Sequence, residues 1–459
     1  MTGTAAPSLE DRIVDFALGL DFDDLPEAAV KGARARLLDS IGVAMAAFLA
    51  PPARIARRLA QPVADGPAAR VWGTATRTSP EMAAFASGVM VRYLDLNDAW
   101  RTRDAHHPSD YLPGILAVAE AERADGRAFV AALAVAYEIM CRFTDAVPFN
   151  TAGWDQPVTG AIGTAMAAGR LMGLDRAAMG HALSLAVIPN LATYQTRAGE
   201  LSMWKGCAGP NGARNGVFAA RLAAAGMTGP AQAFDGVFGV WNQTLGGARS
   251  DIALPDGSPD WQWGLRQTNI KTHAVRDSCQ LPIFTALDLR AALAGRPIDA
   301  LTIETYRSAW EGAVKDPELW APKTRETADH SMLLSVACAL LDGRVTPDSF
   351  EDERFRDADV LDLIGRTEVI VRDDFTAATP GRRNCRIRAR LAGGETVEAH
   401  RIVTLEDIAR GMSDADLEAK FRETSRRTYT AEKQDKVIAT VARLQTLADV
   451  SAVLDVMEL

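Results

Sequence analysis

The chain has 459 residues, a length that allows two or three domains and a sizeable buried core. Hydrophobic residues make up 48% of it and charged residues 24%, which excludes a disordered chain. Its 50 lysines and arginines against 59 aspartates and glutamates give a net charge of −9, and no basic run is present, so nucleic acid is not expected as a partner.

Helical patterns follow one another through the first half of the chain. Ser8 with Asp11 forms a capping box, Pro26 suits a first helical position, and Ser79 precedes Pro80 at the start of a further helix. Other helices are predicted over residues 113–125, 128–144 and 159–172, after a cap at Asp175, and over 208–225 with Gly226 at the end.

Strand patterns appear after about residue 261. Strands are predicted over residues 301–306, 367–372, 385–391 and 396–403, and Gly393-Gly394 joins the last two into a hairpin. Helices over 282–294 and 331–341 accompany them, and the tail is helical over 414–421 and 431–457. We therefore predict a mainly α fold, with an all-helical domain from residues 1–265 and 406–459 and a smaller α+β domain from 266–405.

The compartment follows from what the sequence lacks. No basic segment followed by an apolar one opens the chain, and the longest apolar stretch, residues 41–52, is shorter than the ~18 residues of a membrane span. A cytoplasmic protein without a membrane partner is expected. The five cysteines lack zinc or iron-sulfur spacing, so buried reduced thiols are expected. An acidic group at Asp21–Asp24 precedes a helix, which favours a role at the helix start over metal binding.

The first candidate for chemistry combines Asp95-Leu-Asn-Asp98 with His106-His107-Pro108-Ser109 in a loop after a core helix. Histidine suits proton transfer near neutral pH, and a nearby carboxylate can orient it or share the work. The alternative is that Ser109 and Asp110 cap the next helix while the histidines pack or face water.

The second candidate is a helix start rich in small residues, with Lys205 and Arg214 near it. Backbone N–H groups and two cations there suit a carboxylate or phosphate. Close helix packing with solvated cations is the alternative.

The third candidate is Lys271, His273 and Arg276 at the predicted domain junction, where clefts favour ligands. An exposed basic turn is the alternative. For Asp329-His330-Ser331, before an apolar helix, capping is the favoured role.

In order along nearly the whole chain, these segments resemble the MmgE/PrpD family, which includes 2-methylcitrate dehydratases and cis-aconitate decarboxylases. The resemblance rests on Asp95-Leu-Asn-Asp98 with His107-Pro-Ser, Gly153-Trp-Asp-Gln with Gly160-Ala-Ile-Gly163, Gly199-Glu-Leu-Ser-Met-Trp-Lys-Gly-Cys with Ala213-Arg-Asn-Gly, Lys271, and Arg325-Glu-Thr-Ala-Asp-His-Ser331. It implies that the α+β domain is a lid over an active site between the domains, and that the protein is a homodimer.

The resemblance also implies chemistry on small di- or tricarboxylates without a metal or organic cofactor. Asp95, His107, Lys205 and Lys271 match functional positions of the family. Four positions depart from the pattern of some members, which carry threonine, histidine, lysine and histidine at or near Ala99, Asp155, Arg214 and Arg276.

We therefore expect a cofactor-independent lyase, a dehydratase of a 2-methylcitrate-like hydroxy polycarboxylate that removes a proton α to a carboxylate. The predicted catalytic residues are Asp95, His107 and Lys271, and the predicted substrate-binding residues are Lys205, Arg214, His273 and Arg276. A decarboxylase, an epimerase and an inactive metabolite-binding relative are the alternatives.

Overall fold

The computed structural model describes residues 7–351 and 353–459. Within them, the first half of the chain forms helices α1 (Leu9–Gly19), α2 (Glu27–Ala46), α3 (Pro51–Leu59), α4 (Pro80–Arg92), α5 (Leu112–Ala121), α6 (Gly126–Ala146), α7 (Pro157–Leu171), α8 (Arg176–Val187), α9 (Ala208–Ala224), α10 (Val240–Leu245) and α11 (Gly264–Gln267). The second half forms α12 (Asp277–Leu293), α13 (Arg307–Ala313), α14 (Arg325–Ala328), α15 (Met332–Asp342), α16 (Asp348–Glu351), α17 (Ala358–Gly365), α18 (Asp373–Ala378), α19 (Leu405–Arg410), α20 (Asp414–Ser425), α21 (Ala431–Ala442) and α22 (Ser451–Met457).

The strands of the described residues form three small sheets. They are β1 (Ala69–Arg70), β2 (Arg77–Thr78), β3 (Asp98–Arg101), β4 (Ala105–His106), β5 (Asn269–Ile270), β6 (Ile298–Thr305), β7 (Thr367–Val371), β8 (Arg382–Leu391) and β9 (Thr396–Thr404). The sheet orders are β1-β2, β4-β3-β5 and β7-β6-β8-β9. Because the sheets are small and the helices many, the predicted mainly α class is confirmed.

Local capping explains most of the helix starts. The Ser8 and Asp11 capping box opens α1, and Asp175 accepts a hydrogen bond from the backbone N–H of Ala178 at the start of α8. Pro26 is the N-cap of α2, so the helix begins at Glu27, one residue later than predicted. The helix predicted over 431–457 is instead two helices, because the segment between them hydrogen-bonds to the start of α6 through the Leu447 carbonyl.

The buried hydrophobic residues form two main clusters. The first runs from Leu9 to Ala274 and continues from Leu417 to Met457, so both ends of the chain share one helical core. Helices α7 and α9 approach closely there: a Cβ on Gly216 would lie 2.5 Å from the Ala161 carbonyl oxygen. This contact accounts for the small residues of α9 by close helix packing.

The second cluster, from Val275 to Leu391, packs α12 against strands β8 and β9 of the four-stranded sheet and against α15. In that sheet β6 is parallel to β7 and antiparallel to β8, and the predicted hairpin of β8 with β9 is present. Gly394 makes the turn with φ of 84°. The division into domains at residues 265 and 405 stays a prediction.

Two further sequence expectations concern cysteines and membranes. All five cysteines are buried and free. Among the described residues no single helix is long and apolar enough to span a membrane, and α2 with α3 meets the length and composition only as a pair bent by 101°.

Candidate active site

The β4-β3-β5 sheet joins the segment after α4 to the start of the second cluster. Strand β3 pairs with β5 so that Asp98 lies opposite Ile270. Lys271 follows β5 directly and therefore lies beside the turn that precedes β3. The pairing brings Lys271 against Asp95, 176 positions away along the chain.

Asp95 is a buried carboxylate surrounded by cations. Its Oδ1 lies 2.7 Å from Arg92 Nη1 and accepts a hydrogen bond from Lys271 Nζ, and its Oδ2 lies 3.6 Å from Lys205 Nζ. Burial alone would raise the pKa of Asp95, but the charges of Arg92, Lys271 and Lys205 hold that pKa well below its usual range. Asp95 is therefore ionised at neutral pH.

A second buried carboxylate, Asp329, continues this ion cluster. Lys205 Nζ donates to its two oxygens at 2.6 and 2.8 Å, and Arg325 Nη1 donates to Oδ2 at 2.9 Å. Burial opposes ionisation, yet Lys205 and the hydrogen bond from His330 lower the pKa of Asp329. Burial also lowers the pKa of Lys205 and of Lys271. Every charge of the cluster is thus balanced by direct contact with an opposite one.

His107 presents an unprotonated ring nitrogen. Its Nδ1 lies 2.7 Å from the carbonyl oxygen of Asp98. Because a carbonyl oxygen only accepts, Nδ1 carries the proton and Nε2 carries the lone pair. Burial, helped by the charges of Arg92 and Lys271, lowers the pKa of His107 well below its usual value. The ring is neutral and suited to act as a general base.

The loop that carries His107 is held from behind. The Asp98 carboxylate accepts from the backbone N–H of Ser109 at 3.0 Å, the Ser109 hydroxyl at 2.6 Å and the Tyr137 hydroxyl at 2.9 Å. Gln156 Oε1 accepts from the backbone N–H of His107 at 2.7 Å. These bonds fix the direction of the imidazole before any ligand binds.

A small cleft with a cavity volume of about 40 Å³ opens beside the ion cluster, lined by Asp95, His107 and His330 among others. Three of its arginines are paired with protein carboxylates: Arg92 with Asp95, Arg101 with Asp277 at 3.2 Å, and Arg197 with Asp155 at 3.2 Å. Arg276 forms no ion pair with any residue that the structure describes, and its buried Nε has no hydrogen-bond partner there. Arg276 is therefore the cation most available to a ligand carboxylate.

A larger groove, with a cavity volume of about 710 Å³, lies between α2, α20 and residues 344–348. None of the residues predicted for the site is among the described residues that line it. The smaller cleft holds the neutral histidines and the ion cluster and is the candidate active site.

Two models of one protein family match most of the chain. The MmgE/PrpD N-terminal domain model matches residues 11–253, and the MmgE/PrpD C-terminal domain model matches residues 273–446. The chain belongs to the MmgE/PrpD family. It is 30% identical to a 2-methylcitrate dehydratase of Cupriavidus necator over 73% of this chain and 72% of that one.

Two more members of the MmgE/PrpD family cover larger shares of the chain. The cis-aconitate decarboxylase of Homo sapiens is 26% identical over 97% of this chain and 93% of its own length. The 2-methylcitrate dehydratase of Salmonella typhimurium is 27% identical over 81% of this chain and 80% of its own length. The relatives therefore include both dehydratases and decarboxylases.

Five of the seven residues predicted from the sequence gather at the cleft. Asp95, His107 and Arg276 line it, and Lys205 and Lys271 lie behind Asp95. The ring of His107 is held by the Asp98 carbonyl and not by a carboxylate of Asp95.

The structure does not bring Arg214 and His273 into the cleft. Arg214 is exposed on α9 and contacts Asn215, because the buried face of that helix carries its small residues. His273 Nδ1 lies 3.2 Å from the Val345 carbonyl, and its ring packs on Phe284 with centroids 5.0 Å apart.

The candidate-site residues considered as helix caps differ in whether they act as caps. Ser331 caps α15 by accepting from the backbone N–H of Leu334 at 3.1 Å, as predicted. Asp329 instead binds Lys205 and Arg325. Ser109 does not cap the next helix, because its hydroxyl donates to Asp98.

Sequence reasoning missed Arg92, Gln156, Arg197 and the pairing of Asp329 with His330. Arg92 had a usable signal: it is a charged residue in a helix whose other residues are mostly apolar, and such a residue is rarely buried without a partner. The contact of Asp329 with Lys205 spans 124 positions and has no local signal.

Asp95, Asp329 and His330 also have the spacing of metal ligands. Lys205 contacts both carboxylates, and Lys271 and Arg92 contact the first of them. A divalent cation would have to displace or adjoin these charges, so the donor set fits the ammonium and guanidinium groups better than a metal.

Proposed function

We propose that this chain is a cofactor-independent lyase that dehydrates a hydroxy polycarboxylate of the 2-methylcitrate type. The observation that carries the proposal is the neutral His107, with its free Nε2, in a cleft where Arg276 has no ion-pair partner among the residues that the structure describes. The similarity to 2-methylcitrate dehydratases supports the same reaction class.

His107 is the general base in this proposal. Its Nε2 takes a proton from the carbon α to a substrate carboxylate, and negative charge develops on the oxygens of that carboxylate. Arg276 binds the carboxylate and stabilises the developing charge, since a cation fixed in a water-poor cleft needs no reorganisation.

Asp95 has a supporting role. Its depressed pKa makes it a poor proton donor, so it serves as the counter-ion that keeps Lys205 and Lys271 charged and in place beside the cleft. Lys271 contributes positive potential from behind Asp95, and proton transfer falls to the histidines.

A decarboxylase is the second candidate, favoured by the similarity to a cis-aconitate decarboxylase over nearly the whole chain. Both reactions need a carboxylate anchor and a group that moves a proton at carbon. The products separate them: a dehydratase releases water, a decarboxylase releases CO₂, and an epimerase exchanges the α hydrogen with solvent and releases neither.

The test is a panel of di- and tricarboxylates, with and without hydroxyl groups, incubated with the purified protein in the presence of a chelator. We expect water loss from a hydroxy polycarboxylate, and we expect His107→Ala to lower kcat about 100-fold or more. The variant His400→Ala changes an exposed histidine far from the cleft and is the matched control. Absence of dehydration across the panel, or full activity of His107→Ala, would contradict the proposal.

A further inference from the structure

His330 has the structural marks of a reacting group, although the sequence suggested only a place near a helix cap. Its ring lines the same cleft as His107, and its Nδ1 lies 2.7 Å from Asp329 Oδ1. Because the ionised carboxylate only accepts, Nδ1 carries the proton and Nε2 carries the lone pair. Nε2 has no hydrogen-bond partner among the residues that the structure describes.

The carboxylate behind His330 is unusually well fixed. Lys205 and Arg325 hold both oxygens of Asp329, so the acceptor for Nδ1 cannot rotate away. A carboxylate in this position orients an imidazole and stabilises the imidazolium form. The carbonyl of Asp98 behind His107 carries no full charge. The two histidines therefore differ in the support that they give to a proton on Nε2.

We propose that His330 is the general acid of the dehydration, delivering a proton from Nε2 to the departing hydroxyl group while His107 removes the α proton. This inference rests on the proposed function. It assigns opposite tasks to two imidazoles that line one cleft, and it gives the buried Asp329 cluster a purpose as the support of the acid.

Substrate binding allows His330 to take up a proton from solvent. Burial lowers the pKa of His330 to about 3 in the free protein, and the charges of Lys205 and Arg276 add to this effect. A substrate carboxylate bound to Arg276 cancels part of that repulsion and brings negative charge to the ring. The anionic substrate therefore favours the protonated form of His330 once it is in place.

The proton balance closes over one turnover. His107 Nε2 gains the α proton, and the C–H electron pair first moves onto the oxygens of the adjacent carboxylate. That pair then returns to form the new C=C bond as the C–O bond breaks with its electron pair on oxygen. His330 Nε2 gives its proton to that oxygen, so water leaves. His107 then loses its proton to solvent, and His330 takes one from solvent when the next substrate binds.

The test uses His330→Asn, because the asparagine amide can still donate to Asp329 and so keeps the support intact. We expect its kcat for water loss to fall about 100-fold or more, with KM within about threefold of the wild-type value. Exchange of the substrate α hydrogen with deuterated water should survive, since it needs His107 alone. In His107→Ala, both exchange and water loss should disappear.

A second variant, His330→Ala, opens space for a small acid. Added imidazole should raise the rate of water loss by this variant at least about tenfold. The increase should be larger at a pH where imidazolium is abundant. The exposed His400→Ala should show neither loss nor rescue. Normal water loss in His330→Asn, loss of exchange in that variant, or failure of imidazole to rescue His330→Ala would overturn the inference. Absence of dehydration by the wild-type protein would instead overturn the proposed function itself.

Discussion

The ammonium group of Lys271 donates to the carboxylate of Asp95 and, at 3.0 Å, to the carbonyl oxygen of the same residue. Both groups are fully buried, and Asp95 has a φ of 52°, in the left-handed region that non-glycine residues seldom adopt. This backbone conformation turns the carbonyl and the carboxylate toward one cation. The strained backbone at Asp95 thus lies where it positions the charges behind the cleft.

Replacing Asp95 tests how much this charge cluster contributes to stability and to turnover. Asp95→Asn keeps the shape of the side chain but leaves Arg92, Lys271 and Lys205 with one fewer buried anion. We expect the free energy of unfolding to fall by about 3 kcal/mol and turnover to be lost. Urea denaturation and the dehydration assay measure the two effects.

Asp39→Asn is the matched control for that change. Asp39 is also buried and pairs with a lysine, Lys420, at 2.5 Å, but neither residue lines the cleft. It should destabilise the protein less than Asp95→Asn, because burial raises the pKa of Asp39, and it should leave kcat within about threefold of the wild-type value. An Asp95→Asn protein as active as Asp39→Asn would argue against a role for Asp95 in supporting catalysis.

Gly312 provides room for the substrate anchor. A Cβ added at this position on α13 would lie 2.7 Å from Arg276 Nη2, so Gly312→Ala should push the guanidinium out of place. We expect KM to rise about tenfold with little change in kcat, because a carboxylate contact is weakened in ground state and transition state alike.

Gly180→Ala is the control for the added methyl group. Gly180 lies in α8 with nothing within 4 Å of the new Cβ, so the substitution should stabilise the helix by about 0.5–1 kcal/mol and leave KM unchanged. Equal KM values for the two variants would show that Arg276 does not hold the substrate.

Tyr137 acts on His107 through Asp98. Its hydroxyl donates to the Asp98 carboxylate at 2.9 Å, and Tyr137→Phe leaves that buried oxygen without its donor. We expect a loss of about 1.5–3 kcal/mol in unfolding free energy and a drop in kcat, because the loop carrying His107 loosens.

Tyr429→Phe removes a buried hydroxyl of the same kind far from the cleft. Its hydroxyl donates to the neutral carbonyl of Met457 at 2.8 Å, so only about 1 kcal/mol should be lost and kcat should stay unchanged. Comparing kcat for the two phenylalanine variants isolates the effect of the Asp98 contact. A kcat in Tyr137→Phe equal to that of Tyr429→Phe would contradict a role of the Tyr137 contact in positioning His107.

Acid should destabilise the protein through its buried neutral histidines. Burial lowers the pKa of His106 from 6.5 to about 3, so below pH 6.5 the unfolded chain binds a proton that the folded chain does not. Stability therefore falls as the pH drops from about 6.5 toward 3, by about 1.4 kcal/mol per pH unit for each such histidine.

The variant His106→Phe isolates one of these groups. Its ring can keep the packing against Tyr111, whose centroid lies 5.3 Å away, while it removes the titrating nitrogens. Between pH 6.5 and 5, the slope of unfolding free energy against pH should become shallower by about 1 kcal/mol per unit. Asp110, whose pKa burial raises to about 7, acts in the opposite direction in both proteins and cancels in the comparison. An unchanged slope would mean that His106 is already protonated in the folded state.

The sequence was most informative where a signal is local. Caps such as Ser8 and Asp175 and the alternation in β8 depend on neighbours a few residues away, and the structure reproduces them. The candidate site was predictable only in part. Lys271 and Asp95 could be named, but their contact depends on the pairing of β3 with β5, which no local pattern specifies.

Arg214 is exposed on α9 although it is close to Lys205 in the sequence. The sequence places Arg214 only nine positions after Lys205. The direction of a side chain on a helix depends on the helical period, so nearness in sequence does not bring two side chains into one site. The small residues Gly212, Ala213 and Gly216 mark the buried face of α9, and Arg214 falls outside that face. His273 differs, because its direction is set by the carbonyl of Val345, 72 positions away.

The contact of Lys205 with Asp329 has a thermodynamic consequence for the whole molecule. Lys205 precedes α9 in the first hydrophobic cluster, and Asp329 precedes α15 in the second. If either cluster unfolded alone, Lys205 or Asp329 would remain buried in the other cluster without its counter-ion, at a cost of several kcal/mol. The two clusters should therefore unfold in a single cooperative transition, because this ion pair beside the candidate active site links them.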